Sequence, residues 1–227
     1  MRLLITGADG PLGRLAAAHL GGRHDLLLCG AAGKLDGVGH RYRQVDLRSA
    51  EDVRQLVVGR EAILHFSEFV PALRTGHLAE QDTLDHAAVG TYRLCGAARE
   101  AGVGRMILAS TLAFFDAYPK DFMVDELWRP WPATEPEQLA PFMAEIVVRE
   151  FCREGGINAV CLRFLPIGDD RETNTSAADA LQAIDKALAV QFKTPGYRWQ
   201  LYHIAAADRF ITRNARLGLG YGSRQGA

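Results

Sequence analysis

Short apolar runs alternate with stretches of helical periodicity along the whole chain. Residues 3–6 are apolar and end in a glycine-rich turn, the pattern of a buried strand. Residues 25–29, 62–66, 105–109 and 159–164 read the same way, with a weaker run at 42–45 and a last one near 199–204. Residues 11–20 read as a helix with Pro11 in its first turn. Ser49 is placed to cap a second helix, with Asp52 three residues on. A third helix runs from about 83 to 101 and is ended by Gly102. A fourth, at about 138–153, is apolar at Leu139, Phe142, Met143, Ile146, Val147 and Phe151, which is helical spacing. Helices near 177–190 and 207–217 complete the pattern. Strands alternating with helices predict a doubly wound, parallel α/β sheet. Residues 115–136 lack periodicity and hold Pro119, Trp128, Pro130, Trp131, Pro132 and Pro136, so they read as a long loop over one sheet edge. Loops of that length in compact domains are commonly functional.

Composition narrows the class. The chain has 227 residues, 48% apolar and 23% charged, which excludes disorder and fits one globular α/β unit. A formal charge of -1 provides no bulk field for nucleic acid or an anionic membrane, and neither is expected as a partner. No apolar stretch approaches the ~18 residues of a membrane span, and the start is too short an apolar run for a signal peptide. Cys29, Cys95, Cys152 and Cys161 lie among apolar neighbours with no C-x-x-C spacing, so buried free thiols and a cytoplasmic location are expected. The histidines form no His-x-x-x-His pair, and no metal site is expected. Lys34, Lys120, Lys186 and Lys193 are the only lysines among 26 Lys and Arg residues.

The chemistry concentrates first in the turn Gly7-Ala8-Asp9-Gly10-Pro11-Leu12-Gly13, which follows the first strand and opens the first helix. Glycines at such a turn permit close backbone approach to a pyrophosphate, and the helix N-terminus supplies free N–H groups and a favourable dipole. The segment 6–14, Thr-Gly-Ala-x-Gly-x-x-Gly-Arg, resembles the fingerprint of the extended short-chain dehydrogenase/reductases, more narrowly the NAD-dependent epimerase/dehydratase group. Further segments are similar in order and spacing: Val45-Asp46-Leu47, Ala62-Ile63-Leu64-His65-Phe66-Ser67, Gly90-Thr91, Ala97–Val103, Ile107-Leu108-Ala109-Ser110-Thr111 and Leu162-Arg163-Phe164-Leu165-Pro166. Together they cover about residues 2–168.

The resemblance implies a Rossmann-type fold in a single unit, with a dinucleotide-binding core at 1–168 and a small, reduced C-terminal substrate region at 169–227. It implies binding of NAD or NADP through Gly7, Asp9, Gly10, Pro11, Leu12, Gly13, Asp46 beside the adenine, Leu47, Phe66, Ser67 and Leu165. The second strand departs from the pattern. Gly30 stands where an Asp or Glu usually accepts from the ribose hydroxyls. Asp36 lies past that position, and Lys34, Arg41 or Arg43 are alternatives facing a 2′-phosphate, so NAD against NADP stays open.

Family chemistry couples hydride transfer to a Tyr whose acidity is set by a Lys four residues later. Four residues after Tyr42, Tyr92, Tyr118, Tyr197, Tyr202 and Tyr221 stand Asp46, Gly96, Phe122, Leu201, Ala206 and Gln225, so the sequence holds no Tyr-x-x-x-Lys. Aligned by the helix, Glu137 takes the Tyr position and Pro141 the Lys position, and an Asn often kept by the family is Ala87. The hydroxyl of Thr111 or Ser110 survives; Glu137 and Tyr118 are the candidate replacement acid–base groups. Glu137 also reads as an exposed carboxylate suited to a helix start, and Tyr118 as ordinary loop packing. His65 reads as structural, while Glu68, Arg74, Trp128, Arg129 and Trp131 lie on loops that frame a substrate pocket. Three readings follow: a divergent oxidoreductase for a small polar metabolite, a sugar derivative by analogy; a catalytically inactive dinucleotide sensor or scaffold; and an enzyme using Thr111 with Glu137 or Tyr118. The family's habit of dimerising through the helices before strands five and six, with Val148 beside Val147 on the second of them, implies a homodimer.

Overall fold

The computed structural model describes residues 1–37, 39–66, 77–192 and 198–222, with only the backbone of 77–79. Seven parallel strands form one sheet in the order β3-β2-β1-β4-β5-β6-β7. They are β1 (Arg2–Thr6), β2 (Asp25–Gly30), β3 (Arg41–Gln44), β4 (Ala62–His65), β5 (Arg105–Thr111), β6 (Asn158–Phe164) and β7 (Trp199–Ile204). The register sets Leu4 between Leu27 and Ile63 in the middle of the sheet. Both faces are covered, so the central strands read as continuous apolar runs. β3 is an edge strand and mostly exposed, which is why its signal was weak.

Helices α1 (Pro11–Leu20) and α6 (Ala177–Ala189) pack on one face, joined by α7 (Arg213–Leu219). Helices α2 (Ala50–Val57), α4 (Thr91–Glu100) and α5 (Pro136–Glu154) pack on the other. α1 buries Leu12, Gly13, Ala16, Ala17 and Leu20, the stripe its spacing predicts. Ser49 caps α2, its hydroxyl accepting from the Asp52 N–H at 3.4 Å. A third cluster of Leu112, Phe114, Phe115, Val124, Ala205, Ala207 and Phe210 closes the structure beyond the C-terminal ends of β5 and β7.

Three elements differ from their sequence patterns. The third helix begins earlier, as α3 (His77–Asp85), and passes through a π-helical turn at His86–Gly90 before α4. There Gly90 lets the helix approach Leu47: a Cβ at residue 90 would lie 3.1 Å from the Leu47 Cβ. α7 is shorter than expected, because residues 209–211 pair with the 115–136 loop instead of coiling. The Val124 N–H donates to the Arg209 carbonyl and the Ile211 N–H to the Val124 carbonyl, both at 2.8 Å. Val148, expected to form a second outward stripe on α5, is fully buried, and Val147 packs partly against the same core. β7, expected near 199–204, is the seventh strand of the sheet.

Candidate functional site

β1 is the strand from which the chain winds both ways, to β2 on one side and β4 on the other. In such sheets the crevice at the carboxyl ends of those strands is where ligands bind. The glycine turn stands there. Gly7 has φ +66, a conformation that favours glycine, and its carbonyl accepts from the Gly10 N–H at 3.0 Å. A Cβ on Gly13 would fall 2.2 Å from the Gly7 carbonyl oxygen, so only glycine allows α1 to start this close to β1. α1 begins with Pro11 after Gly10 and has no side-chain cap, leaving first-turn N–H groups for an outside acceptor. A bare backbone cradle at a helix start fits a pyrophosphate. Leu12 is core, so its contribution to such a ligand is its backbone.

Asp9 points away from the cradle toward the end of β2. Its Oδ2 accepts from the Ala32 N–H at 2.9 Å. On the same turn the Tyr42 hydroxyl donates to the Ala32 carbonyl at 2.8 Å and the Gln44 amide to the Ala31 carbonyl at 3.0 Å. Asp46 lies exposed after β3 and is clamped by Arg48, whose Nη2 approaches Oδ2 at 2.7 Å and whose backbone N–H donates to Oδ1 at 2.8 Å. Those bonds hold the Asp46 carboxyl down at about 2. Arg48 also bonds Asp82. Leu47 and Phe66 are 2% and 1% exposed, so their side chains serve the core. Ser67, Glu68 and Arg74 lie outside the described residues. Leu165 is half-buried, and its N–H donates to Thr175 Oγ1 at 3.0 Å, which ties the strand end to the loop before α6.

The acid–base candidates do not gather. Thr111 ends β5 at 7% exposure, with Oγ1 accepting from the Ala113 N–H at 3.1 Å. Ser110 is fully buried and its hydroxyl has no hydrogen-bond partner among the described residues. Glu137 is exposed in the first turn of α5. Pro141 is buried inside that helix, where it removes the N–H that the Glu137 carbonyl would otherwise accept. Tyr118 packs edge-on to Trp128 at 5.2 Å and Trp131 at 5.6 Å, and its hydroxyl donates to the Arg129 carbonyl at 3.1 Å. It lines, with Trp128, Arg129 and Trp131, a cavity of about 760 Å³ between the long loop, α5 and β7. His65 is fully buried between Thr6 Oγ1 at 2.7 Å and Thr91 Oγ1 at 2.9 Å, tying β1, β4 and α4 together. Burial pushes this histidine down to about 3, so it is neutral and structural. All four cysteines are buried and unpaired. Burial pushes the Cys29 thiol up to about 12, which makes it a poor nucleophile. Among the described residues no His, Cys, Asp and Glu group is arranged to hold a metal. Among them no helix is long and apolar enough to cross a membrane.

One buried pair escaped sequence reasoning. Glu145 on α5 and Arg163 on β6, 5% and 3% exposed, form a bidentate bridge at 2.7 and 2.6 Å. The Arg163 guanidinium also lies over Phe114 and Phe115, 5.3 and 5.6 Å from their centroids. The pair fastens α5 to the sheet one turn beyond Pro141. Its sequence signal was slight: a polar residue within each of two otherwise apolar stripes.

The family model described as the NAD dependent epimerase/dehydratase family matches residues 3–199. A uronate dehydrogenase of Pseudomonas putida is 32% identical over 127 residues, 55% of this chain and 46% of that protein. The chain thus spans about half the length of the curated relatives it matches. Among solved structures, a mutated uronate dehydrogenase superposes with a TM-score of 0.81 at 24% identity, covering 98% of this chain and 81% of that one. MoeE5 in complex with UDP-glucuronic acid and NAD superposes with a TM-score of 0.82 at 18% identity, covering 100% of this chain and 95% of that one. These two superpositions establish the shared fold, and the family match runs from β1 through β6 and ends at Trp199, the first residue of β7. The chain belongs to the NAD dependent epimerase/dehydratase family.

Proposed function

We propose that this chain binds NAD at the β1–α1 turn and is a divergent oxidoreductase for a small sugar-acid-type metabolite, with slow turnover because the usual phenol–ammonium pair is absent. One observation carries the reading: a built glycine cradle coexists with Pro141 at the lysine position. The cofactor supplies the hydride acceptor. The chain supplies the rest: first-turn N–H groups of α1 for the pyrophosphate, Asp46 beside the adenine, and Thr111 to orient a substrate oxygen. The uronate dehydrogenase relatives support a sugar acid as ligand. Residues 169–227 are proposed to complete the substrate side, and two chains to associate through α4 and α5.

A neutral proline cannot lower the acidity of a neighbouring phenol, and no phenol stands at residue 137. Tyr118 is held by the aromatic loop. These two facts favour a second reading, a dinucleotide sensor that no longer turns over. Calorimetry with NADH separates binding from its absence: native protein should bind, and Gly13→Val should not. A uronate screen read at the reduced-nicotinamide absorbance should show little change with native protein. A Glu137→Tyr/Pro141→Lys variant should raise turnover by ~10²–10⁴-fold, the usual contribution of a positioned acid–base group. Robust native turnover, or no binding of either nicotinamide dinucleotide, refutes the proposal.

A further inference from the structure

The end of β2 lacks the acid that this fold ordinarily uses for the adenosine ribose, and Gly30 stands in its place. The space is nevertheless filled by a carboxylate. A Cβ built on Gly30 would fall 2.0 Å from Asp9 Oδ1 and 2.4 Å from its Cγ. Asp9 therefore reaches from the glycine turn into the volume that a residue-30 side chain would occupy, and Gly30 is what makes room for it. Asp9 Oδ2 is anchored by the Ala32 N–H at 2.9 Å, whereas Oδ1 accepts no hydrogen bond from the described residues. This oxygen lies at the end of β2 against Gly30, the position from which the fold ordinarily recognises the adenosine ribose.

The cations near the end of β2 each have a partner at the surface. Lys34 pairs with Asp36 at 3.1 Å, Arg41 with Asp25 at 3.8 Å, and Arg43 donates to Gln55 at 3.1 Å. Arg14 donates through Nε to the Asp9 backbone carbonyl at 3.1 Å, steadying the turn. We propose that Asp9 is the ribose-recognising carboxylate of this chain and selects NAD over NADP. It accepts from the ribose hydroxyls of NAD, and its charge repels a 2′-phosphate. The inference rests on the proposal that the glycine turn binds a dinucleotide.

The test is a pair of calorimetric titrations, NADH and NADPH, on three proteins. Native protein should bind NADH at least about tenfold more tightly, since hydrogen bonds to a charged acceptor are lost and a like charge is added with NADPH. Asp9→Asn should weaken NADH by about tenfold and abolish most of the preference, with its fold checked by thermal denaturation. Asp9→Ala combined with Gly30→Asp should restore the preference, because the acid then comes from β2 into the same volume; a merely structural Asp9 would not be rescued this way. NADPH binding as tight as NADH to native protein, or an unchanged ratio in Asp9→Asn, overturns the role of Asp9 while leaving the dinucleotide site standing. Failure of native protein to bind either one overturns both.

Discussion

Removing Glu145 should be among the most damaging single substitutions in the chain. Glu145 and Arg163 are 5% and 3% exposed and joined by two bonds at 2.7 and 2.6 Å. Glu145→Ala would leave the buried guanidinium over Phe114 and Phe115 without its two charged hydrogen bonds, with Glu126 as the remaining carboxylate acting on it. Breaking a buried pair by deleting one partner costs ~3–5 kcal/mol, because the remaining charge keeps its desolvation penalty and loses its attraction. A domain of this size shifts by about 2–4 °C per kcal/mol, so the melting temperature should fall by roughly 6–20 °C. Replacing both partners, Glu145→Leu with Arg163→Met, should cost far less than the single change, since neither charge is then buried and the methionine keeps contact with the two rings. Urea denaturation followed by circular dichroism gives both values, and comparison of slopes checks that the same surface is exposed. A Glu145→Ala cost below about 1 kcal/mol, the range of exposed ion pairs, would refute the reasoning by showing that water reaches the pair.

Acid should destabilise the fold through two histidines. Burial pushes His65 and His203 down to about 3, so between that and the unfolded value near 6.5 the unfolded chain binds more protons; stability is complete above 6.5 and falls by about 1.4 kcal/mol per pH unit per histidine below it. His203 lies against Phe115 at 5.5 Å and Phe210 at 6.1 Å, so His203→Phe should remove about half of that slope, measured by urea denaturation at stepwise pH; an unchanged slope would contradict the burial argument. Self-association is expected through α4 and α5, where Tyr92 is 61% and Ile146 38% exposed; Tyr92→Arg should return a dimer to monomer by light scattering, and a native mass independent of concentration at the monomer value would exclude the dimer.

The strands were legible because each is a short apolar run between breakers, and a parallel sheet covered on both faces needs nothing subtler. Helix ends were less so. Proline at residue 136 opens α5 three residues before the apolar stripe begins at Leu139, and residues 209–211 are drawn into pairing with Val124 by a contact distant in sequence. The fate of Val148 shows the limit of counting stripes: beside Val147 it widened the apolar arc, yet the structure turns it into the sheet and leaves Ile146 outside. The glycine cradle was legible because one short segment builds all of it. Asp9 was read as part of that segment, but its relation to Gly30 depends on β2 returning beside β1, across a stretch of chain that periodicity alone does not bring into contact. Glu145 and Arg163 were hidden for the same reason, since their partnership exists only once α5 lies across β6.

Where binding and turnover sit in this fold explains how one could outlast the other. The cradle is made by Gly7, Gly10 and Gly13, whose requirements are set by β1 and α1 alone. The family's acid–base pair belongs to the first turns of α5, on the opposite face of the sheet. α5 does not depend on that pair for its place: Ala144, Val148 and Cys152 bury its inner face, and Glu145 bolts it to Arg163. A proline at residue 141 costs the helix one backbone bond near its start and disturbs neither the bolt nor the cradle. On the proposed reading, substitution at 137 and 141 is expected to remove proton transfer without a matching loss of fold or of dinucleotide affinity. This is why the restored Glu137→Tyr/Pro141→Lys protein is the informative one: it alters chemistry in a scaffold whose other requirements are already met. A restored pair that leaves turnover unchanged while NADH still binds would place the defect in the substrate side of the crevice rather than in α5.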